Sequence, residues 1–351
     1  MLHAFTQRSL LLVLVAAWLA ALFCSWLDTP LPWMVGPLFV TAVLRMGGLP
    51  LSCPVQLREA GQWAIGAALG LYFTPPVVAA LGTYVGYIGA GVVYAIVLGA
   101  VCGWVLHRMT GIDRTTAFFA MAVGGASEMA AQGERHGARV DRVAAAHSLR
   151  ILLVVALIPF GFKFAAVHGA DPFEPGVQAV YYPGLALLIV LTSAGSLLLK
   201  RLDTPNAWVI GPLLVSGALT ATHHELSALP GWIVHWGQLF IGVSLGARFS
   251  PEFLRTAPRF LGCVVVCTLL AIGLGIGFAL ALAATGGMHP ATAILATAPG
   301  GVAEMSLTAR NLNLGVPIVT AFHVTRMAAL VLTIEPLFRH VRAWRGRKKK
   351  E

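Results

Sequence analysis

Glu128, His147 and Arg150 lie in or beside long apolar runs, and Glu304, His323 and Arg326 repeat them 176 residues later. His147 and Arg150, three apart, share one face of a helix, as do His323 and Arg326. A carboxylate in hydrocarbon costs about 2.5–3.5 kcal/mol on insertion scales, so each Glu is expected to have a partner and a task. Each also follows a glycine pair, as Gly124-Gly125-x-x-Glu128 and Gly300-Gly301-x-x-Glu304. Three readings of this chemistry stand. The Arg and Glu of each half form an ion pair that pins a broken segment to the next helix. Or the same groups bind an anionic solute or relay a proton, a step suited to an unpaired imidazole near neutral pH. Or two Glu and two His hold a di-metal centre. The Glu-x-x-His spacing of carboxylate-bridged centres is absent, and Arg150 and Arg326 would repel a cation. No metal ligand, cofactor or catalytic residue is therefore assigned, and the chain is not read as an enzyme.

The elements that must position these residues are themselves duplicated. Leu27-Asp28-Thr29-Pro30, Trp33 and Gly36-Pro37-Leu38 return as Leu202-Asp203-Thr204-Pro205, Trp208 and Gly211-Pro212-Leu213, at an offset of 175. Gln62, Gly66, Leu69-Gly70, Phe73 and Pro75 return as Gln238, Gly242, Leu245-Gly246, Phe249 and Pro251, at 176. One slip of a single residue across a half means a nearly gapless duplication, with repeats at 1–170 and 171–338 and a basic tail at 339–351. Asp-Thr-Pro reads as a turn into a helix, with Asp or Thr as N-cap and Pro in the first turn. Gly36-Pro37 and Gly211-Pro212 read as kinks, Gln62 and Gln238 as interhelical hydrogen-bonders, and Trp33 and Trp208 as interfacial anchors.

Composition names the solvent. The chain is 58% hydrophobic and 11% charged, where a soluble domain carries about 25% charged residues, and its mean hydropathy is +0.80. So little polar surface implies lipid. The net charge of +10 does not imply nucleic acid: seven basic residues cluster from Arg339 to Lys350 and most others sit in short loops. That is the footprint of cytoplasmic loops facing anionic lipid. Cys24, Cys53, Cys102, Cys263 and Cys267 form no C-x-x-C and read as packing residues. The first apolar run, 9–27, has a counterpart at 178–199, where no signal peptide can be, and is kept as a repeat element.

Each half holds six apolar segments, near 9–27, 31–46, 58–73, 79–107, 113–132 and 140–168, then 178–199, 207–222, 232–248, 258–284, 290–309 and 314–338. The fifth of each is broken by glycines and carries a Glu. If each folds back as a re-entrant hairpin, with both termini inside, 20 of the 24 Lys and Arg become cytoplasmic, and the acidic linker Asp171 to Glu174 falls outside. The expected fold is an all-α polytopic membrane protein of two inverted repeats, with about ten transmembrane helices and two re-entrant or broken hairpins. Inverted repeats with interrupted midplane segments are the architecture of secondary transporters, and irregular backbone survives at that depth only against protein or a polar cavity. The expected substrate- or ion-binding residues are Gly124, Gly125, Glu128, His147 and Arg150, with Gly300, Gly301, Glu304, His323 and Arg326. The expected partners are the bilayer, a small and more readily anionic solute, and H+ or Na+ as coupling ion. A homodimer is compatible with this reading, and nucleic acid is not a partner.

These motifs resemble the AbrB family of bacterial inner-membrane proteins, whose unit is duplicated in this way. The carriers are Asp-Thr-Pro…Trp…Gly-Pro-Leu, Gln…Gly…Leu-Gly, Gly-Gly-x-x-Glu-Met and His-x-x-Arg, from about Leu10 to Leu337. The most specific stretch is Ala298-Pro299-Gly300-Gly301-Val302-Ala303-Glu304-Met305; the first copy, Ala122 to Met129, lacks the proline, so its hairpin is expected to be less sharply broken. The resemblance implies a fold similar to cation/proton antiporters and anion transporters. Family members also carry the labels regulator of gene expression and ammonia monooxygenase. The first leaves a membrane-bound regulatory protein as an alternative, and the second a metal-dependent oxygenase, for which no copper or iron ligands are visible.

Overall fold

The computed structural model describes residues 2–51, 53–169, 174–249 and 258–347. Asp171 of the acidic linker, Pro251 of the duplicated motif and residues 348–351 of the basic tail lie outside them. Among the described residues every regular element is a helix. The first half supplies α1 (Leu2–Trp26), α2 (Pro32–Met46), α3 (Val55–Gly70), α4 (Pro75–Thr83), α5 (Val85–Thr110), α6 (Arg114–Met121), α7 (Ala126–Arg135) and α8 (Val140–Phe164). The second supplies α9 (Tyr182–Arg201), α10 (Ala207–Ala221), α11 (Gly231–Gly246), α12 (Pro258–Gly286), α13 (Pro290–Thr297), α14 (Val302–Asn311) and α15 (Val316–Arg347). The backbone of the basic segment from 339 to 347 continues α15.

Six of these helices are long and apolar enough to cross a membrane: α1, α5, α8, α9, α12 and the first part of α15. Apolar side chains such as Leu11, Trp104, Val190 and Leu332 stand exposed on their outer faces, a surface that suits lipid. The other expected spans are shorter. α2 and α10 have 15 residues, α3 and α11 have 16, which at 1.5 Å per residue is about 24 Å, against a hydrocarbon core of roughly 30 Å. α3 continues into α4 across an 87° bend.

The reason α2 and α10 are short lies in the turns before them. Asp28 and Asp203 adopt left-handed backbone, with φ of 52° and 50°. Thr29 N donates to Cys24 O at 2.9 Å and Thr204 N to Leu199 O at 3.0 Å, the hydrogen bond that closes a helix C-terminus. Asp-Thr-Pro therefore ends α1 and α9 instead of capping the next helix, whose N-cap positions, Leu31 and Asn206, make no side-chain cap.

The helices gather into two bundles. In one, α1 packs on α2, α2 on α11, α11 on α3, α3 on α10 and α10 on α9. In the other, α5 and α12 pack together, α5 also on α6 and α15, α12 also on α13 and α8, and α8 holds α6 and α7 while α15 holds α13 and α14. Partners are exchanged between halves reciprocally. Gly66 of α3 lies against the carbonyl of Val209 on α10, and its counterpart Gly242 of α11 against the carbonyl of Met34 on α2. A Cβ at either glycine would strike backbone, so both must be glycine for the helices to approach this closely. Gly61 touches Gly237 and Ile241, and Gly237 touches Ala64 and Ile65, so the counterpart helices α3 and α11 cross antiparallel. The bundles meet where α3 touches α14 and α15; an apolar core runs across from Ile65 and Leu69 to Leu295 and Met305.

Within the second bundle, α6 and α7 fold back on each other. Arg139 N, just past α7, donates to Thr116 Oγ1 in the first turn of α6 at 2.9 Å. Phe119 stacks on His136 with centroids 5.9 Å apart. α13 and α14 repeat this: Gly315 N donates to Thr292 Oγ1 at 3.2 Å. Asp113 and His289 cap the first arms, accepting from Thr116 N and Ala291 N. The tips, 122–125 and 298–301, are non-helical. Ala122 and Ala298 leave the helix with near-identical angles, φ −54° with ψ 134° and 144°. The first tip is as sharply broken as the second, so Pro299 does not make the break.

Candidate functional site

What holds the tips open is the His–Arg pair on the following helix. The last carbonyls of a helix lack intrahelical donors, and those of α6 and α13 end in the molecular interior. From α8, His147 Nε2 donates to Phe119 O at 2.9 Å, and Arg150 Nη1 to Ala122 O at 2.8 Å. Arg150 Nη2 reaches Gly124 O at 3.4 Å and His147 Nδ1 at 3.0 Å. From α15, His323 Nε2 donates to Leu295 O at 2.8 Å, Arg326 Nη1 to Ala298 O and Nη2 to Gly300 O, both at 2.6 Å, and Nη2 to His323 Nδ1 at 2.9 Å. A guanidinium can only donate, so each Nδ1 accepts and the imidazole proton sits on Nε2. Each cation also faces the negative end of a helix dipole.

This corrects two expectations. Arg150 and Arg326 form no ion pair with Glu128 or Glu304; the salt bridges among the described residues join other side chains. The reason is geometric: each Arg serves the end of the first hairpin arm, whereas each Glu rises from the first turn of the second. The imidazoles are not unpaired either. Both ring nitrogens of His147 and of His323 are committed, which removes them from a proton step and from a di-metal ligand set as they stand.

Glu128 and Glu304 occupy the third position of α7 and α14, behind the N-caps Gly125 and Gly301. Each carboxylate folds back over its own helix N-terminus, into the space a Cβ on Gly125 or Gly301 would fill. That is the physical content of Gly-x-x-Glu: an acidic side chain turned onto a positive helix end, with glycine making room. Glu304 is buried; Glu128 is half-buried, and its Oε2 is buried without a hydrogen-bond partner.

Both tips meet one cavity of about 140 Å³ between the two bundles. A water needs roughly 10–15 Å³ on this measure, so a small solute fits. Gly124, Gly125, Glu128 and Arg150 line it with Gly300, Gly301, Glu304, His323 and Arg326. Of the ten expected residues only His147 stands back, fully buried behind Arg150. The opposite wall comes from the first bundle: Arg58 and Gln62 of α3, Asn206 before α10, and Ser244 and Arg248 at the end of α11. Gln62 Nε2 donates to Asn206 Oδ1 at 3.3 Å. Arg58, Asn206, Ser244 and Arg248 are absent from the expected site. The two arginines read as topology-setting loop charges, and none of the four is duplicated, so the internal repeat could not flag them. The Arg248 guanidinium lies within electrostatic reach of both Glu304 and Glu128.

A family model described as Transition state regulatory protein AbrB matches residues 33–342. The chain is 26% identical over 344 residues to "Uncharacterized protein YhjN" of Bacillus subtilis (strain 168), covering 90% of this chain and 89% of that protein. It is 26% identical over 314 residues to "Putative regulator AbrB" of Escherichia coli (strain K12), covering 87% and 88%. With the matched region containing both hairpins, both glutamates and both His–Arg pairs, the chain belongs to the AbrB family.

Proposed function

We propose that this protein is a secondary transporter of the bacterial inner membrane, built from two inverted repeats, that moves a small solute through the cavity at the hairpin tips. The observation that carries the reading is the convergence of two broken segments, 122–125 and 298–301, with both glutamates, on one cavity between two bundles. Rocking of one bundle against the other would open that cavity to alternate sides. The antiparallel crossing of α3 and α11 supports inversion, because a two-fold axis in the membrane plane reverses each helix relative to its counterpart. On this reading α6–α7 and α13–α14 are re-entrant, both termini are cytoplasmic, and the short helices complete the ten spans where the bilayer is locally thinned. Glu128 and Glu304 are the groups that exchange H+ or Na+ during the cycle. The regulatory names of the family and of the E. coli relative are compatible with this role, since moving a solute changes its cytoplasmic concentration.

In proteoliposomes, a pH or sodium gradient should drive uptake of a metabolite from a mixed pool. Glu304→Gln, which keeps a capping side chain, should weaken or uncouple that uptake while the protein stays folded. If the wild type moves nothing across a broad screen, yet a stable preparation retains stoichiometric iron or copper, a metal-dependent membrane enzyme replaces the transporter.

A further inference from the structure

The wall that α3 and α11 give the cavity is not symmetric, although the helices are counterparts. Shifting by 176 residues turns Arg58 into Val234, Ser244 into Ala68 and Arg248 into Tyr72. Val234, Ala68 and Tyr72 line a second cavity, at the other end of α3 and α11. The two ends of the crossing thus carry different side chains at corresponding positions: two guanidiniums and a hydroxyl at one end, an alanine, a valine and a tyrosine at the other, where Arg310 and Glu174 supply one charge of each sign.

Neither Arg58 nor Arg248 makes a hydrogen bond or ion pair with a described residue, whereas Arg150 and Arg326 are occupied by carbonyls. Counting formal charges around the first cavity, four guanidiniums face two carboxylates, which leaves two positive charges uncompensated. Two helix N-termini, α7 and α14, point at the same space and add to the positive field. Both glutamates are turned back onto those N-termini, so their charge is partly spent there. An unpaired arginine is a planar fork of donors matched to a carboxylate, and Ser244 and Asn206 offer further polar contacts within the same lining.

We propose that Arg58 and Arg248 form a one-sided carboxylate clamp, so that the solute is a small organic anion with one or two carboxylate groups, gripped when the cavity opens at the Arg58–Arg248 end. This rests on the transporter reading for its role but not for its binding chemistry. The Val234–Tyr72 end carries one guanidinium, Arg310, with the Glu174 carboxylate in the same lining, and so offers no pair of unopposed arginines. Half-saturating concentrations therefore differ between the two faces, with the lower value on the arginine side.

Thermal unfolding of the purified full-length protein in detergent tests the binding, with succinate, acetate, phosphate and tetramethylammonium chloride as probes at constant ionic strength. Succinate or acetate should raise the wild-type midpoint saturably, and tetramethylammonium should not. Arg58→Gln with Arg248→Gln should raise the half-saturating concentration at least tenfold. Arg58→Lys with Arg248→Lys, which keeps the charge and loses the fork, should raise it several-fold. A wild type insensitive to both carboxylates overturns the proposal whatever the variants do. Stabilisation by phosphate alone replaces carboxylate with a phosphate-type anion, and equal binding in wild type and the folded Gln pair moves the anion off the two arginines. Carboxylate binding without flux in proteoliposomes would leave this inference standing and remove the transporter; flux indifferent to the Gln pair would do the reverse.

Discussion

Replacing Arg326 by Ala leaves the carbonyls of Ala298 and Gly300 and the Nδ1 lone pair of His323 buried without donors. Each unsatisfied buried group costs about 1–3 kcal/mol, so Arg326→Ala should lower stability by about 3–5 kcal/mol, read as a large drop in the thermal midpoint in detergent. Lys can meet only part of that geometry and should fall between. Because Glu304 is not its partner, Arg326→Ala and Glu304→Gln should combine additively to within about 0.5 kcal/mol in a double-mutant cycle; a coupling well above 1 kcal/mol would restore the ion pair. Gly301→Ala places a methyl where the Glu304 carboxylate lies and should cost about 0.5–2 kcal/mol through loss of the cap, a change the same unfolding measurement resolves. Every residue in these experiments was legible in the sequence, because duplication singled out Gly301, Glu304, His323 and Arg326 against diverged surroundings. Their pairing was not legible. Spacing along the chain places Arg326 on a face of α15, but it carries no information about which arm of a folded-back segment that face meets.

At the scale of elements, the hairpins are the part most open to a direct check. The β-carbon position of Gly133 on α7 lies 3.4 Å from Phe119 Cβ on α6, close to the Cβ–Cβ spacing of a disulfide, about 3.5–4.5 Å. In a variant lacking the five native cysteines, Phe119→Cys with Gly133→Cys should cross-link on mild oxidation. A fifth segment that ran straight through the bilayer would hold the two positions far apart and give no bond. The hairpins were readable from two cues: glycine pairs interrupting an apolar run, and basic residues that sort to one side only if that run turns back. The lengths of α2 and α10 were not. A hydropathy pattern marks where a run is apolar, whereas the helix starts are set by left-handed residues: Asp28 and Asp203, in the turns that close the helix before, and Leu31 and Asn206, at the N-caps of the helix after.

For the molecule as a whole, orientation is the first property to test. Single cysteines at Glu134 and Thr285, both exposed, should react with a membrane-impermeant maleimide from opposite faces, Thr285 in intact spheroplasts and Glu134 only after permeabilisation. Labelling of both from the same side would remove the inverted arrangement. The offset of 176 makes Gly61 and Gly66 the counterparts of Gly237 and Gly242, and the structure gives these pairs reciprocal contacts. The duplication did not predict that the halves interleave, with α1, α2 and α3 joined to α9, α10 and α11, because identity at a fixed offset says which positions correspond and nothing about which of them touch.

That interleaving has a consequence for how the chain is made. The ribosome delivers α3 well before α11 and α10, the helices whose backbones its glycines are shaped to meet. Until the second half emerges, the notches at Gly61, Gly66 and Gly70 have no partners, and α3 sits in lipid without the helices it packs on. The first bundle cannot assemble until α11 has emerged, nor the second until α15 has, so the nascent first half must persist unassembled in the meantime. Expressed alone, residues 1–173 should be degraded, and co-expression with residues 174–351 should rescue them.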